Sequence, residues 1–185
     1  TLPNYLSTNS TDAEGTLNDQ ISALASTYFQ VKAAGTGGTN QSGLAYVGWT
    51  WNANSGSTVS NTSGSIASTV SVNPTAGFSI VTYTGNGGTS DTIGHGLGVT
   101  PSMIIIKVRS NAIRNWYVYH ASLGSTRKIF LNLTDADTIE NGNFGGLSPT
   151  STTFGVGYAG TNGSAETFVA YCFAQVAGYS AFGSY

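Results

Sequence analysis

An all-β fold of the β-sandwich or jelly-roll kind is what this sequence predicts, and three observations predict it. Short apolar runs recur at intervals of about 10 to 15 residues, separated by Gly, Asn and Ser turns. Charge is nearly absent: Asp, Glu, Lys and Arg make up 8% of the 185 residues, and hydroxyls, amides and 25 Gly carry the surface instead. Helical periodicity is scarce. Only 12–28 sets apolar residues at helical spacing, with Leu17, Ile21, Leu24 and Ala25 behind a capping Asp12.

The elements follow in order. Ile66, Ser68, Val70 and Val72 alternate with Ser65, Ala67, Thr69 and Ser71, a half-buried strand that Asn73-Pro74 stops. Residues 78–84 make the next strand, ended by Gly85-Asn86-Gly87-Gly88. Residues 103–108 are continuously apolar except for Lys107, as a strand covered on both faces would be. Strands at 116–120 and 129–133 flank the turn Ser122-Leu123-Gly124-Ser125, and 152–158 and 167–176 close the set.

The N-terminus resembles a decayed copy of the C-terminal third. Tyr5-Leu6-Ser7 aligns with Phe130-Leu131-Asn132, and Ser26-Thr27-Tyr28-Phe29-Gln30-Val31 with Ser151-Thr152-Thr153-Phe154-Gly155-Val156, both at an offset of about 125. Thr11-Asp12-Ala13 aligns with Thr134-Asp135-Ala136 at an offset of about 123. Tyr46-Val47-Gly48-Trp49-Thr50-Trp51 aligns with Phe168-Val169-Ala170-Tyr171-Cys172-Phe173 at an offset of about 122. The expected organisation is one complete unit plus a half repeat: a partial C-terminal-half unit at 1–53, a linker at 54–64 and a complete β-sandwich at 65–185. The repeat also argues against a helix at 12–28, because its equivalent contains Gly142, Gly145, Gly146 and Pro149. A half unit cannot bury its own apolar face. It must be completed by residues before Thr1, by the whole unit, or by another subunit.

Composition excludes several classes. A formal charge of -2 gives no electrostatic reason to expect nucleic acid. No stretch reaches the ~18 apolar residues of a membrane span, so no membrane insertion is expected. The single cysteine, Cys172, rules out an internal disulfide and reads as a buried thiol.

Few residues are suited to catalysis. His95, in Gly94-His95-Gly96-Leu97-Gly98, suggests a phosphate or metal loop, but no helix follows to receive a phosphate. It reads instead as a tight loop whose His bonds backbone. His120 ends an aromatic strand and reads as a packed or hydrogen-bonding residue. Asp135, Asp137 and Glu140 gather near one another, but lack the glycine and the length of a helix-loop-helix calcium site, and read as a solvated turn. No catalytic, metal-ligating or cofactor-binding residue is assigned, and no cofactor is expected. Five of the six basic residues lie between Lys107 and Lys128, interleaved with aromatics. Arg109, Arg114, Trp116, Tyr117 and Tyr119 are therefore the candidate glycan-contact surface, through stacking and charge. The alternative is strand ends flanking core aromatics.

Several motifs in fixed order resemble a repeated, lectin-like β-sandwich domain of tailed-bacteriophage virion proteins of the marine and cyanophage type. They are the run from Ala76 to Gly85, Gly94-His95-Gly96-Leu97-Gly98-Val99-Thr100-Pro101, Met103-Ile104-Ile105-Ile106-Lys107 and Trp116-Tyr117-Val118-Tyr119-His120. Leu123-Gly124, Phe168-Val169-Ala170-Tyr171-Cys172-Phe173 and Tyr179-Ser180-Ala181-Phe182-Gly183-Ser184-Tyr185 complete the set. The resemblance implies a non-enzymatic structural protein at the virion surface, most naturally a tail fibre or other appendage contacting the host envelope. A capsid decoration (cement) protein and a polysaccharide-cleaving tailspike domain are the alternatives. The implied partners are further copies of the chain, three-fold by analogy with fibres, other virion proteins and a host surface glycan.

Overall fold

A computed structural model of the chain describes residues 4–16, 21–25, 27–32, 39–54, 57–139 and 141–185. The fold is all-β. The strands are β1 (Asn4–Tyr5), β2 (Gly15–Thr16), β3 (Ile21–Leu24), β4 (Phe29–Val31), β5 (Val59–Asn61), β6 (Ser68–Asn73) and β7 (Phe78–Thr84), then β8 (Asp91–Gly94), β9 (Met103–Val108), β10 (Tyr117–His120), β11 (Arg127–Phe130), β12 (Thr138–Ile139), β13 (Thr153–Val156) and β14 (Thr167–Phe173). One short helix, α1 (Tyr158–Asn162), lies between β13 and β14.

An eight-stranded antiparallel sheet organises the molecule, in the order β12-β11-β10-β9-β14-β7-β6-β5. The last strand in sequence lies between β7 and β9 and pairs with both, from Phe168 opposite Tyr83 and Val108 to Phe173 opposite Phe78 and Met103. Strand alternation then assigns the two faces. The inner face carries Val70, Val81, Tyr83, Ile104, Ile106, Val108, Phe168, Ala170 and Cys172, all buried. A second layer, the antiparallel pair β8–β13, covers it and contributes Ile93, Phe154 and Val156 to the same core. Aromatic rings join the layers: Tyr83 stacks on Phe168 at 5.2 Å and meets Phe154 edge-on at 6.5 Å. Such pairs contribute about 0.5–1.5 kcal/mol beyond the area they bury.

The opposite face is covered too, so β9 is enclosed on both sides as its apolar run, interrupted only by Lys107, predicts. Residues 4–16 lie over the β9–β14 side, and Trp51 closes the other end against Phe78 and Phe173, at ring separations of 6.3 and 6.0 Å. Asn73 Nδ2 donates to Asn52 O at 3.2 Å, and Ser71 Oγ donates to Ala53 O, which fixes residues 52–53 beside β6.

The expected strands at 78–84 and 103–108 match β7 and β9, and the strand expected at 129–133 forms instead as β11, Arg127–Phe130. Pairing with β10 runs on past Phe130 by irregular bonds, Leu131 N to Trp116 O at 3.1 Å and Trp116 N to Asn132 Oδ1 at 2.9 Å. β8 has a single apolar residue, Ile93, and so gives no periodic signal. β5 falls inside 54–64, the stretch read as a linker, and joins the large sheet through β6. Tertiary hydrogen bonds hold α1 in place rather than sequence periodicity. Tyr83 Oη donates to Thr161 O at 2.7 Å, while buried Asn162 donates to Asn86 Oδ1 at 2.8 Å and accepts from Asn86 N at 3.0 Å. Within 12–28 the described residues form β2 and β3 and no helix. Leu17 and Ser26 of that window lie outside the described residues.

Strand positions echo the sequence repeat. β2 and β12 occupy aligned positions, as do β4 and β13, with Phe29 and Val31 answering Phe154 and Val156. The environments differ: Phe154 and Val156 are buried, whereas Phe29 and Val31 are exposed. Residues 46–51, aligned with most of β14, form no strand.

Phe168 is fully enclosed at the junction of the layers. Phe168→Ala is expected to cost about 3–5 kcal/mol, read as the loss of unfolding free energy in a urea titration. A loss below about 1 kcal/mol would contradict this packing.

Candidate functional site

The basic, aromatic stretch 107–128 is where sequence places a contact surface, and its side chains divide between the two faces of the sheet. Tyr117 and Tyr119 stand on the inner face, opposite Ile106 and Ile104. Tyr119 is buried edge-on to Phe144 at 5.9 Å, and Tyr117 packs on the core and meets Phe130 edge-on at 5.1 Å. Trp116 faces the other way, stacked on Tyr171 at 6.5 Å and 3% exposed. The rings that a sugar would need for stacking are thus turned into the protein, and the five candidates do not form one outward surface. Arg114 is half-buried, its Nε enclosed without a hydrogen-bond partner among the described residues.

These residues clasp the N-terminal segment instead. Trp116 Nε1 donates to Ser7 O at 3.0 Å and Ser10 O at 3.2 Å. Lys107, with no exposed surface, donates from Nζ to Thr11 O at 3.1 Å and Val108 O at 2.9 Å. Burial lowers the pKa of its ammonium and the nearby Asp12 carboxylate raises it again. Arg109 completes the clasp with a fork onto Glu14, Nε to Oε2 and Nη2 to Oε1, and its carbonyl accepts from Glu14 N at 2.9 Å. The Arg109 hydrogen bond holds the Glu14 carboxyl below the ordinary carboxylate value, against an opposing effect of burial.

Beside this clasp lies an open cleft of about 310 Å³, lined by Asn4, Tyr5, Thr82, Val169, Tyr171 and the Glu14–Arg109 pair. Its two charged groups satisfy one another, which leaves neither as a free acid or base.

The other titratable candidates are similarly engaged. His95 is fully buried, with Nδ1 accepting from Leu97 N at 3.2 Å and Nε2 3.2 Å from Thr150 O. That arrangement suits a neutral ring with its proton on Nε2. Burial depresses its pKa, partly offset by the Thr150 carbonyl. The loop closes tightly around it: a Cβ at Gly94 would lie 2.0 Å from Asn61 Oδ1, and Gly96 has a φ of +74°. The histidine therefore bonds backbone, as the loop reading expects. His120 Nδ1 accepts from Ser122 N at 3.2 Å and shapes the turn after β10. Asp137 pairs with Arg127, and Glu140 lies outside the described residues. Among the described residues no group of three or more His, Cys, Asp or Glu is placed to hold a metal ion. Cys172 is enclosed in the core, which pushes its thiol well above the ordinary range and makes it unreactive.

An exposed apolar surface lies elsewhere, mostly on residues singled out through the repeat. Leu44, Tyr46, Val47 and Trp49 are 58%, 51%, 69% and 71% exposed. Phe29 adjoins them, its Cζ 3.0 Å from where a Cβ on Gly48 would sit. The signal that could have found this surface is the strip's match to β14 without counterparts of β7 and β9.

Two pH effects follow. Because Glu14 has a lowered folded-state pKa, its contribution to stability is present above the unfolded carboxylate value and is lost as pH falls through the folded value. Side chains of Arg109 and Glu14 are 33% and 15% exposed, so the pair lies between exposed and buried limits. Glu14→Gln should lower stability at pH 7 by about 1 kcal/mol, with the deficit shrinking on acidification. Paired denaturant titrations across pH would show it; a deficit independent of pH would refute the role of the pair. His95 also has a lowered folded-state pKa, so below its ordinary value of 6.5 the unfolded chain binds the proton more readily. Stability is expected to fall as pH drops through that region, and this component should vanish in His95→Gln.

Neither a curated protein nor a solved structure matches the chain. A family model matches residues 2–185, nearly its whole length, and the chain belongs to that family, described as a domain of unknown function (DUF7483).

Proposed function

We propose that this chain is a non-enzymatic structural component of a bacteriophage virion. It would serve as a homo-oligomeric building block of a tail fibre or other surface appendage that contacts the host envelope. The observation that carries the reading is the engagement of its chemically capable side chains in holding the fold. Lys107, Arg109, Glu14, His95 and Cys172 are bound or buried internally. What the chain offers outward is a charge-poor surface of hydroxyls and amides with an exposed apolar strip at 44–49. Such a surface suits repeated weak contacts, whose avidity grows with the number of linked copies. The ordered motifs resembling phage virion repeats support the virion location.

Glycan cleavage as in a tailspike is less well supported. Hydrolysis needs two carboxyl groups about 5–9.5 Å apart on either side of a sugar. Glu14 and Asp137 are paired with Arg109 and Arg127, and the Asp91 carboxyl accepts from Ser65 and Asn162. Capsid decoration stays open as a second reading, because the exposed strip at 44–49 would suit a neighbouring lattice subunit equally well.

Quantitative peptide mass spectrometry of purified virions, scaled to the major capsid protein, separates these readings. An appendage predicts tens of copies per particle and a decoration protein hundreds, as order-of-magnitude expectations from symmetric assembly. Absence from the particle would refute both. Isolated host surface glycan incubated with the protein is expected to stay intact while still adsorbing it; fragmentation would overturn the non-enzymatic reading.

A further inference from the structure

An asparagine followed by glycine carries its own nucleophile and electrophile. The glycine has no side chain to keep its backbone nitrogen away from the preceding side-chain amide carbon. Three such pairs occur in the sequence, Asn86-Gly87, Asn141-Gly142 and Asn162-Gly163. Their surroundings in the fold differ sharply.

Two of the pairs lock one another. Asn162 is fully buried, and its Nδ2 donates to Asn86 Oδ1 at 2.8 Å, Gly88 O at 3.1 Å and Asp91 Oδ2 at 3.1 Å. Its Oδ1 accepts from Asn86 N at 3.0 Å. Asn86 Oδ1 accepts a second bond from Gly88 N at 2.8 Å, and Gly87 N, the nucleophile of that pair, donates to Asn162 O at 2.8 Å. Reaction at either asparagine first requires this network to open locally.

Asn141-Gly142 has no such restraint. Asn141 is exposed, and neither its side-chain amide nor Gly142 N makes a hydrogen bond among the described residues. The glycine is nonetheless required by the fold: its φ is +85°, and a Cβ there would lie 2.3 Å from Tyr158 Cε2. Packing against Tyr158 thus keeps a glycine after Asn141 and leaves the pair open to water.

We propose that Asn141 is a site of spontaneous deamidation, and that of the three pairs it is the one that reacts in the folded chain. Gly142 N, having lost its proton to solvent base, attacks Asn141 Cγ. The new N–Cγ bond closes a cyclic imide, the Cγ–Nδ2 bond breaks, and Nδ2 takes a proton from water and leaves as ammonia. A water molecule then opens the imide at one of its two carbonyls, which leaves aspartate or isoaspartate at 141. Neither enzyme nor cofactor takes part. Isoaspartate inserts a methylene into the main chain directly before the turn in which Gly145 N donates to Gly142 O at 2.9 Å. That turn delivers Phe144, 3% exposed, to its edge-on contact with Tyr119 at 5.9 Å. A lengthened main chain has to shift this ring within a close-packed core, so the isoaspartyl form is the less stable one.

The test is incubation of the purified full chain at about pH 8 and about pH 6, with residues 86, 141 and 162 followed by peptide mapping. Electron-transfer fragmentation distinguishes isoaspartate from aspartate. The chain unfolded in guanidinium gives the intrinsic rate of each pair, free of structural protection. Folding is expected to slow Asn86 and Asn162 at least about tenfold, because their bonds must open first, and to slow Asn141 by much less. The Asn141 rate should rise with pH, as attack by a deprotonated nitrogen requires. Asn141→Gln needs a larger ring to react, so it should stay unmodified with the fold intact by far-ultraviolet circular dichroism. Wild type aged at the higher pH is expected to unfold at lower urea concentration than fresh protein, and aged N141Q is not. Equal rates at the three positions in the folded chain, faster reaction at Asn86 or Asn162, or protection of Asn141 as strong as theirs overturns the proposal. None of these outcomes bears on presence in the particle, which the virion stoichiometry tests separately.

Discussion

Two-sided covering of the central strands is the constraint on which this structure depends. β14 and β9 are apolar on both faces, and a sheet of that kind cannot leave either face in water. The inner face has a regular solution, the β8–β13 layer with its aromatic contacts to Tyr83 and Phe168. The outer face is covered by segments with little regular structure, residues 4–16 and 51–53, which need specific anchors. Lys107, Arg109 and Trp116 hold residues 4–16, each binding a backbone oxygen or carboxylate of that segment, while Ser71 and Asn73 hold residues 52–53. Lys107 is the most demanding of the three. A fully enclosed ammonium is costly unless its protons are bonded, so the position of Thr11 O is a condition for that side chain to sit in β9.

This arrangement changes the meaning of the basic, aromatic segment. Interleaved Arg, Lys, Trp and Tyr suggest stacking and charge aimed at an external ligand, but strand alternation sends neighbouring residues to opposite faces. Tyr117 and Tyr119 become core, Trp116 becomes a hydrogen-bond donor to the N-terminal segment, and Arg109 becomes a clamp for Glu14. The same side chains that could recognise a glycan recognise the protein's own backbone. Polarity inside the molecule is handled similarly: Asn162 bonds Asn86 and Asp91, and this network secures α1.

The half repeat gives the molecule its asymmetry. β2 and β4 recur where β12 and β13 stand in the complete unit, yet Phe29 and Val31 of β4 are exposed where Phe154 and Val156 of β13 are buried. Residues 46–51 show the difference most sharply. Their counterpart β14 lies inside the sheet with Phe168, Val169, Ala170 and Cys172 buried, whereas Tyr46, Val47 and Trp49 are exposed.

By itself the sequence determined the fold class, the strands with clear periodicity, and the covering of β9 on both faces, because alternation and unbroken apolar runs are local consequences of burial. It also determined the role of His95, since a glycine-flanked histidine without a following helix has backbone as its nearest partner. It missed β5, β8, β12 and α1, which have too few apolar residues to register; β8 and α1 are moreover held by partners distant in the chain. Nor could it show that Trp116 and Arg109 bind Ser7 and Glu14, about a hundred residues earlier. Only the tertiary structure decided which face each aromatic takes and which apolar residues remain outside, because both depend on what packs opposite rather than on the residue's own neighbours.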